Sequence, residues 1–432
     1  MNDKGGAAGN RVSSRLRYWR LVSGYRPGAL AFSTLLGTFW QIVRLASQML
    51  VIVVIARSLG AQGYGTLAGF GGLAVILGGL TGLGSGYLLL QEVSRQRSSF
   101  GLLWRTCLVA IFASGFVLSA LYVSIAQAVV RADLGMTTLV AIAISELFCY
   151  PIVYASAFAF QAHERLGWAT GLPSLMALAR LAGAAAFLLY SPDPDFDRYM
   201  LFHLSASMAS AVIAIVAVQR LLRPAAAGRI SWRSLFGGMH FSVSWLTSNA
   251  YGETDKVLTA RYLGLDLAGA YAMAYRVISA LSAPVAALAL AIQPRLFRSV
   301  DASNTTERRR LLRWSLALAA VYSVAAGGLV VAAAPLLVWL VGEEFADSVK
   351  AVRWLAPLLL VMSLRTLAAT LLSSTGRVLA RARIELISAA TMLASGLLLI
   401  PSHGFQGAIL SLYLTELIQL GMLGAIARHD LS

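Results

Sequence analysis

With 432 residues, 58% hydrophobic and only 12% charged, and a mean hydropathy of +0.73, the chain is too apolar for a water-soluble enzyme. A net charge of +16, from 35 basic and 19 acidic residues, would suggest nucleic acid in a soluble protein, but here the basic residues punctuate long apolar runs. Those runs are continuous rather than alternating, which excludes an outer-membrane barrel. Cys107 and Cys149 lie inside apolar runs, where they supply neither a disulfide framework nor a four-ligand metal site.

Helical spans, which need roughly 20 apolar residues each, are predicted at 30–56, 66–90, 101–126, 134–160, 166–190, 199–222, 235–260, 267–294, 314–341, 351–375, 384–401 and 405–427. Assigned to alternate sides, the Lys and Arg residues outside these spans or at their very ends divide 23 to six, the six being Arg57, Arg131, Arg198, Arg261, Lys350 and Arg353. The positive-inside rule then places both termini in the cytoplasm. The division of the chain is a basic segment 1–29, a six-helix bundle 30–222, a linker 223–234 with Pro224 and Gly228, a second bundle 235–427 and a tail 428–432. The first residues lack the apolar core of a cleavable signal. Arg11 to Arg26, interleaved with Leu16, Tyr18 and Trp19, reads equally as a surface-lying amphipathic segment or a solvated tail.

An internal repeat links the two bundles. Shifted by 204, Arg57, Leu59, Gly60, Gly65 and Ala68 fall on Arg261, Leu263, Gly264, Gly269 and Ala272, at the ends of spans 1 and 7. Chance similarity of glycine-rich loops is the alternative. Transporters are often built from repeated halves with the substrate site between them.

The first repeat, ARSLGAQGYGTLA, and the following GLTGLGSGYLLLQEVSR to Arg95 resemble the start of polysaccharide-transporter flippases. TDKVLTARYLGLDLAGAYAMAYRV with Pro284 and QPRLF, then LVGEEFADSVKAVRWLAP, then STGRVLARARIELI through LLLIPSHGFQGAILSLYLTE keep the same family's order from about Ser33 to Ala427. The family belongs to the multidrug/oligosaccharidyl-lipid/polysaccharide exporter superfamily. The resemblance implies an all-α integral membrane protein of about 12 transmembrane helices. They would form two pseudo-symmetric six-helix bundles around a V-shaped central cavity. It further implies a flippase of the bacterial inner membrane. The cargo would be an undecaprenyl-diphosphate-linked oligosaccharide, moved from the cytoplasmic to the periplasmic leaflet by alternating access. That transfer would serve O-antigen, capsule or exopolysaccharide assembly beside a polymerase and other assembly proteins. Sugar hydroxyls and a diphosphate need a polar path, since each unsatisfied polar group in hydrocarbon costs several kcal/mol.

Mid-span ionisable residues cost roughly 2.5–3.5 kcal/mol each to insert and should face a cavity or a partner. They are Arg44, Glu146, Arg180, Glu253, Asp255, Lys256, Arg276, Arg365 and Glu416, with Arg105 and Glu385 nearer span ends. In span 1, Thr34, Thr38, Gln41, Arg44 and Gln48 share one helical face. The guanidinium of Arg44 suits a diphosphate, an ion pair with Glu146 or Glu416 being the alternative. In span 8, Tyr271, Tyr275, Ser279 and Ser282 form a polar-aromatic stripe beside Arg276, with a bend expected at Pro284. Arg276, before VISALSAP, resembles by position a cavity arginine needed by the lipid II flippase. Arg44 resembles a first-span arginine there, placed by its distance from the SLG turn.

Arg365 and Arg180 are further cavity candidates, and Gln41, Gln48, Asn249 and Tyr275 are polar lining. Glu253, Asp255 and Lys256 read either as an ion-coupling switch or as a structural cluster, and Glu146 and Glu416 join them as coupling candidates. His203 and His240 read as hydrogen-bonded core residues. Trp104, Trp168, Trp232, Trp339 and Trp354 fit the interfacial belt. Trp40, Tyr87, Trp245 and Tyr251 lie deeper, where packing competes with stacking on sugars. The small residues of span 2, from Gly69 to Gly86, suit close helix contact. No catalytic or nucleotide-binding motif occurs, so neither enzyme activity nor a cofactor is expected, nor a nucleic-acid partner. The alternatives are an ion-coupled drug/cation antiporter, whose cavity should be acidic, and a membrane glycan polymerase or scaffold subunit.

Overall fold

The computed structural model describes residues 27–225, 235–301, 305–375 and 377–431. The sequence expectations for the basic segment up to Arg26, most of the linker with Gly228 and Trp232, and Ser432 fall outside the described residues. All regular structure among the described residues is helical, the one open-ended arrangement that satisfies every backbone N–H and C=O without water.

Eight helices are long and apolar enough to cross a membrane, and a ninth span forms if Glu343–Leu355 and Leu358–Ser374, bent by 55°, are taken together. Two of the eight, Leu35–Gly78 and Leu379–Ala427, are double-length and reverse at Gly60 and Gly404. Met239–Leu263 is not among the eight, for it carries Glu253, Asp255, Lys256 and Arg261. With it, the described residues hold twelve span-length segments at the predicted positions.

Three departures are local. Span 2 breaks at Thr81–Gly84, where Gly82, Leu83 and Gly84 all have positive φ. The bend near Pro284 falls at Ser282, between α-helices Leu265–Leu281 and Ala283–Asp301. Trp104 is 2% exposed, packed in the first half's core with Cys107 and Phe160 rather than at the interface, and His240 is exposed rather than in a core. Trp168, Trp339 and Trp354 are exposed as an interfacial belt requires.

Large apolar side chains such as Phe116, Leu189, Val321 and Leu398 cover the outer surface, where hydrocarbon is the solvent. Each half has its own buried core: Leu89, Trp104 and Phe160 belong to one in the first half, Tyr271, Leu355 and Met392 to one in the second. A further core crosses between halves, joining Ile55, Tyr64 and Phe70 to Val257, Ala272 and Phe345. It lies at the end bearing Glu343, Glu344 and Asp195, here called the acidic end. The opposite, basic end carries Arg95, Arg165, Arg220 and Arg377.

The repeat determines how the acidic end closes. Gly60 (φ 65°, ψ −168°) and Gly264 (φ 89°, ψ 170°) turn the chain identically at the two related positions, a conformation that a Cβ disfavours. Three residues earlier, Arg57 donates to the carbonyls of Leu340 (2.6 Å) and Trp339 (3.1 Å). Its counterpart Arg261 donates to those of Ala128 (2.7 Å) and Val129 (2.8 Å). Each arginine thus satisfies the open C-terminal carbonyls of the third span of the opposite half. Between them, Gly65 and Gly269 allow backbone contact: a β-carbon at Gly65 would lie 1.7 Å from the Leu265 oxygen, and one at Gly269 2.1 Å from the Ala61 oxygen.

Candidate functional site

Behind the acidic-end closure lies a cavity of about 360 Å³ between the halves, lined from the first by Arg44, Gln48, Glu146, Arg180 and His203 and from the second by Asn249, Glu253, Lys256 and Arg276. Four cations therefore face two carboxylates. A widened π-helical turn, Ser145–Cys149, presents Glu146 to the cavity. Glu146 is ion-paired to Arg180 (2.8 Å) and lies 3.6 Å from His203, whose other nitrogen meets the Tyr199 hydroxyl at 3.2 Å. The Arg180 Nε also donates to Ser207 (3.0 Å). On the facing wall, Lys256 pairs with Glu253 (3.3 Å) and Asp255 (3.4 Å), donates to the Gly252 carbonyl, and lies 4.4 Å above the Tyr275 ring.

The carboxylates are thus engaged by Arg180 and Lys256. Arg44 pairs with neither Glu146 nor Glu416. It donates through Nη1 to the Tyr154 hydroxyl (2.9 Å), and its buried Nε has no hydrogen-bond partner among the described residues. Arg276 reaches the Tyr64 hydroxyl and sits in the field of Glu253. These two guanidiniums give the cavity its surplus positive charge.

Several expectations are corrected here. Arg365 does not line this cavity: inside the second half, its Nε lies 2.8 Å from the Glu416 carboxylate and its guanidinium stacks over Tyr251, which also donates to Glu416. Glu416 is fully buried, and Asp255 is buried and accepts from Tyr271 (2.7 Å), so neither faces the cavity. Tyr275 packs on Lys256 instead of lining it, and Gln41 lies outside it on the exposed side of span 1. Gln48 and Asn249 do line it, Asn249 being held by the Val75 carbonyl at 2.8 Å. His203 is buried and hydrogen-bonded, yet also part of the cavity wall.

The Arg365–Glu416 pair yields a test of structural role. Glu416→Leu, which strands a buried guanidinium, should lower unfolding stability by about 3–5 kcal/mol, whereas Arg365→Leu/Glu416→Leu should recover most of it. Thermal unfolding of the purified single and double variants reads the difference; equal loss in both would show that the pair is not the source.

The fold is shared with solved transporters. A structure described as the inward-facing conformation of a multidrug resistance MATE family transporter of the MOP superfamily aligns with a TM-score of 0.75 at 12% identity, covering 90% of this chain and 98% of that one. An outward-facing conformation of a transporter so described aligns with a TM-score of 0.61 at 12% identity, over 93% and 94%. A MOP superfamily transporter from Pyrococcus furiosus, whose description reports a binding pocket of reverse polarity, aligns with a TM-score of 0.59 at 13% identity, over 93% and 94%. No curated protein matches the sequence significantly. The family model described as "Polysaccharide biosynthesis protein" matches residues 32–300, more than half of the chain, and this multi-span membrane protein, which shares its fold with those solved transporters, belongs to that family.

Proposed function

We propose that the protein is a flippase for an undecaprenyl-diphosphate-linked oligosaccharide, moving it from the cytoplasmic to the periplasmic leaflet by alternating access for surface polysaccharide assembly. The observation that carries this reading is the cavity between the halves, where four cations face two carboxylates already engaged by Arg180 and Lys256, which leaves the charges of Arg44 and Arg276 in surplus. Two guanidinium forks in a partly dehydrated cleft match the geometry and charge of a diphosphate. A cavity for organic cations needs the opposite balance. The 23-to-six distribution of basic residues supports cytoplasmic termini and a bacterial inner membrane, which puts the closed acidic end on the periplasmic side. Of the ion-coupling candidates, Glu146, Glu253 and Lys256 reach the cavity. A polymerase and further assembly proteins would take up the product outside.

The test is to delete the gene and ask which leaflet holds the lipid-linked oligosaccharides, by their access to an impermeant glycan-modifying probe. Retention on the cytoplasmic side with loss of surface polysaccharide is the expected result. Normal sidedness with unpolymerised units outside would overturn it in favour of a polymerase or scaffold, and an intact glycan phenotype in favour of an antiporter.

A further inference from the structure

Span 9 opens with the α-helix Thr305–Ala333 and continues through Pro335–Val341 to Glu343 at the acidic end, so Thr305 starts at the basic end. Its sequence begins TTERRRLLRW, in which four arginines fall within ten residues. The helical period sorts these residues onto two faces. Arg308, Leu312 and Ala319 are buried, the last two packing with Leu296 and Leu371 of the second half. Arg309, Arg310, Arg313 and Trp314 are exposed on the opposite face. That face continues as Leu318, Val321 and Val324, all exposed, where only hydrocarbon can cover them. Three arginines therefore look outward along the lipid-facing stripe of the span.

Their depth follows from the helix rise. Trp314 and Trp339, both exposed, are 25 residues apart, or roughly 37 Å at 1.5 Å per residue. That separation covers about 30 Å of hydrocarbon with a margin at each end, which is where tryptophan belongs. Arg313 lies level with Trp314, and Arg309 and Arg310 lie roughly 6–8 Å farther out, within the headgroup layer.

Other arginines of the basic end are engaged by the protein itself. Arg95 meets Glu92 (3.6 Å), Arg97 meets Glu164 (3.6 Å), Arg165 donates to the Leu221 carbonyl (3.3 Å) and Arg381 to Glu385 (2.9 Å). Arg310 and Arg313 have no hydrogen-bond or ion-pair partner among the described residues. No described residue of span 9 lines the main cavity, so this face meets the bilayer's own lipids. Cations at headgroup depth attract the phosphates of the leaflet, and guanidiniums match phosphate oxygens in geometry. A zwitterionic headgroup brings an ammonium with each phosphate, whereas a net-negative one complements the patch fully.

We propose that Arg310 and Arg313, with Arg309 beside them and Trp314 beneath, form a binding site for an anionic phospholipid on the outer surface of the second half. The occupant is a lipid of the bilayer and not the cargo, so the site stands whatever the cargo is. A lipid held there fixes the depth of span 9 at the basic end.

The experiment titrates the purified full-length protein in detergent with phosphatidylglycerol, phosphatidylcholine and undecaprenyl diphosphate. Phosphatidylglycerol should bind at least about tenfold more tightly than phosphatidylcholine. Arg310→Gln/Arg313→Gln should weaken phosphatidylglycerol roughly thirtyfold and leave phosphatidylcholine as it is. Both side chains are exposed, so this variant should unfold at the parent's temperature in the absence of added lipid. Arg310→Lys/Arg313→Lys should keep most of the affinity, and so should Arg95→Gln/Arg97→Gln, which removes the same charge elsewhere at this end. Equal affinity for the two phospholipids would overturn the site. Equal loss in both glutamine variants would overturn it too, reducing the effect to the general charge of the basic end. Loss of undecaprenyl diphosphate binding in place of phosphatidylglycerol binding would make the arginines a carrier contact instead.

Discussion

Replacing Arg44 or Arg276 by alanine should abolish glycan export while leaving the protein in the membrane at normal levels. Each guanidinium contributes charge-assisted hydrogen bonds worth about 1.5–3 kcal/mol, so each loss should weaken binding of a diphosphate by roughly ten- to a hundredfold. Lysine should restore little at Arg44. Its Nη1 is bound to the Tyr154 hydroxyl, so the fork can hold the tyrosine and still turn its other terminal nitrogen to a ligand, which a single ammonium cannot do in the same geometry. Surface polysaccharide, the cytoplasmic pool of lipid-linked precursor and the membrane content of each variant are the three measurements. Full export by both alanine variants would sink the assignment of the cavity.

Gly65→Val should be as damaging for a different reason. Its β-carbon would fall 1.7 Å from a backbone oxygen of the opposite half, and no rotamer change can relieve a clash with backbone. The acidic end should then fail to close, and transport should fall by at least about tenfold, a loss of some 1.4 kcal/mol in the closing equilibrium. A cysteine replacing Ala272, which lines the main cavity at 3% exposure, in a background lacking Cys107 and Cys149, reports this directly. An impermeant maleimide added from the acidic-end side should label it faster in Gly65→Val than in the parent. Unchanged labelling would mean that the end is held shut by something other than this backbone contact. Gly269→Val should behave alike, because the repeat gives it the reciprocal clash with Ala61.

What could be read in the sequence was what the backbone dictates. Span positions follow from hydropathy, and the 204-residue shift found the two positive-φ turns and their arginines because related turns need the same residues. The inward direction of Arg44 followed from helical spacing within one span. Partnerships between spans were illegible, since Glu146 meets Arg180 and Arg365 meets Glu416 only through tertiary packing. That is why, of the two further cavity candidates, Arg365 pairs with Glu416 inside the second half and Arg180 lies in the wall. The aromatic cluster between the halves was hidden for the same reason: Tyr87 and Trp245 are visible singly, but nothing local shows spans 2, 4 and 7 converging. The signal available was the run GLTGLGSGY, where a break dense in glycine, serine and threonine interrupts a span and sets Thr81 and Ser85 against the aromatic rings.

Helix Met239–Leu263 has a consequence for biogenesis. Glu253, Asp255 and Lys256 sit together in its second half, and charges inside a span oppose release from the insertion machinery into lipid by up to about 2.5–3.5 kcal/mol each, more than its few leucines and valines return. The segment therefore needs a protein surface to leave against. Span 2 supplies one, with Gly72 and Gly79 lying directly against Glu253, Val257 and Leu246. The first half must be in the membrane before the second can enter it, so the order of the two halves along the gene is part of the folding mechanism. Expressed as separate chains, the second half should insert stably only where the first is already present.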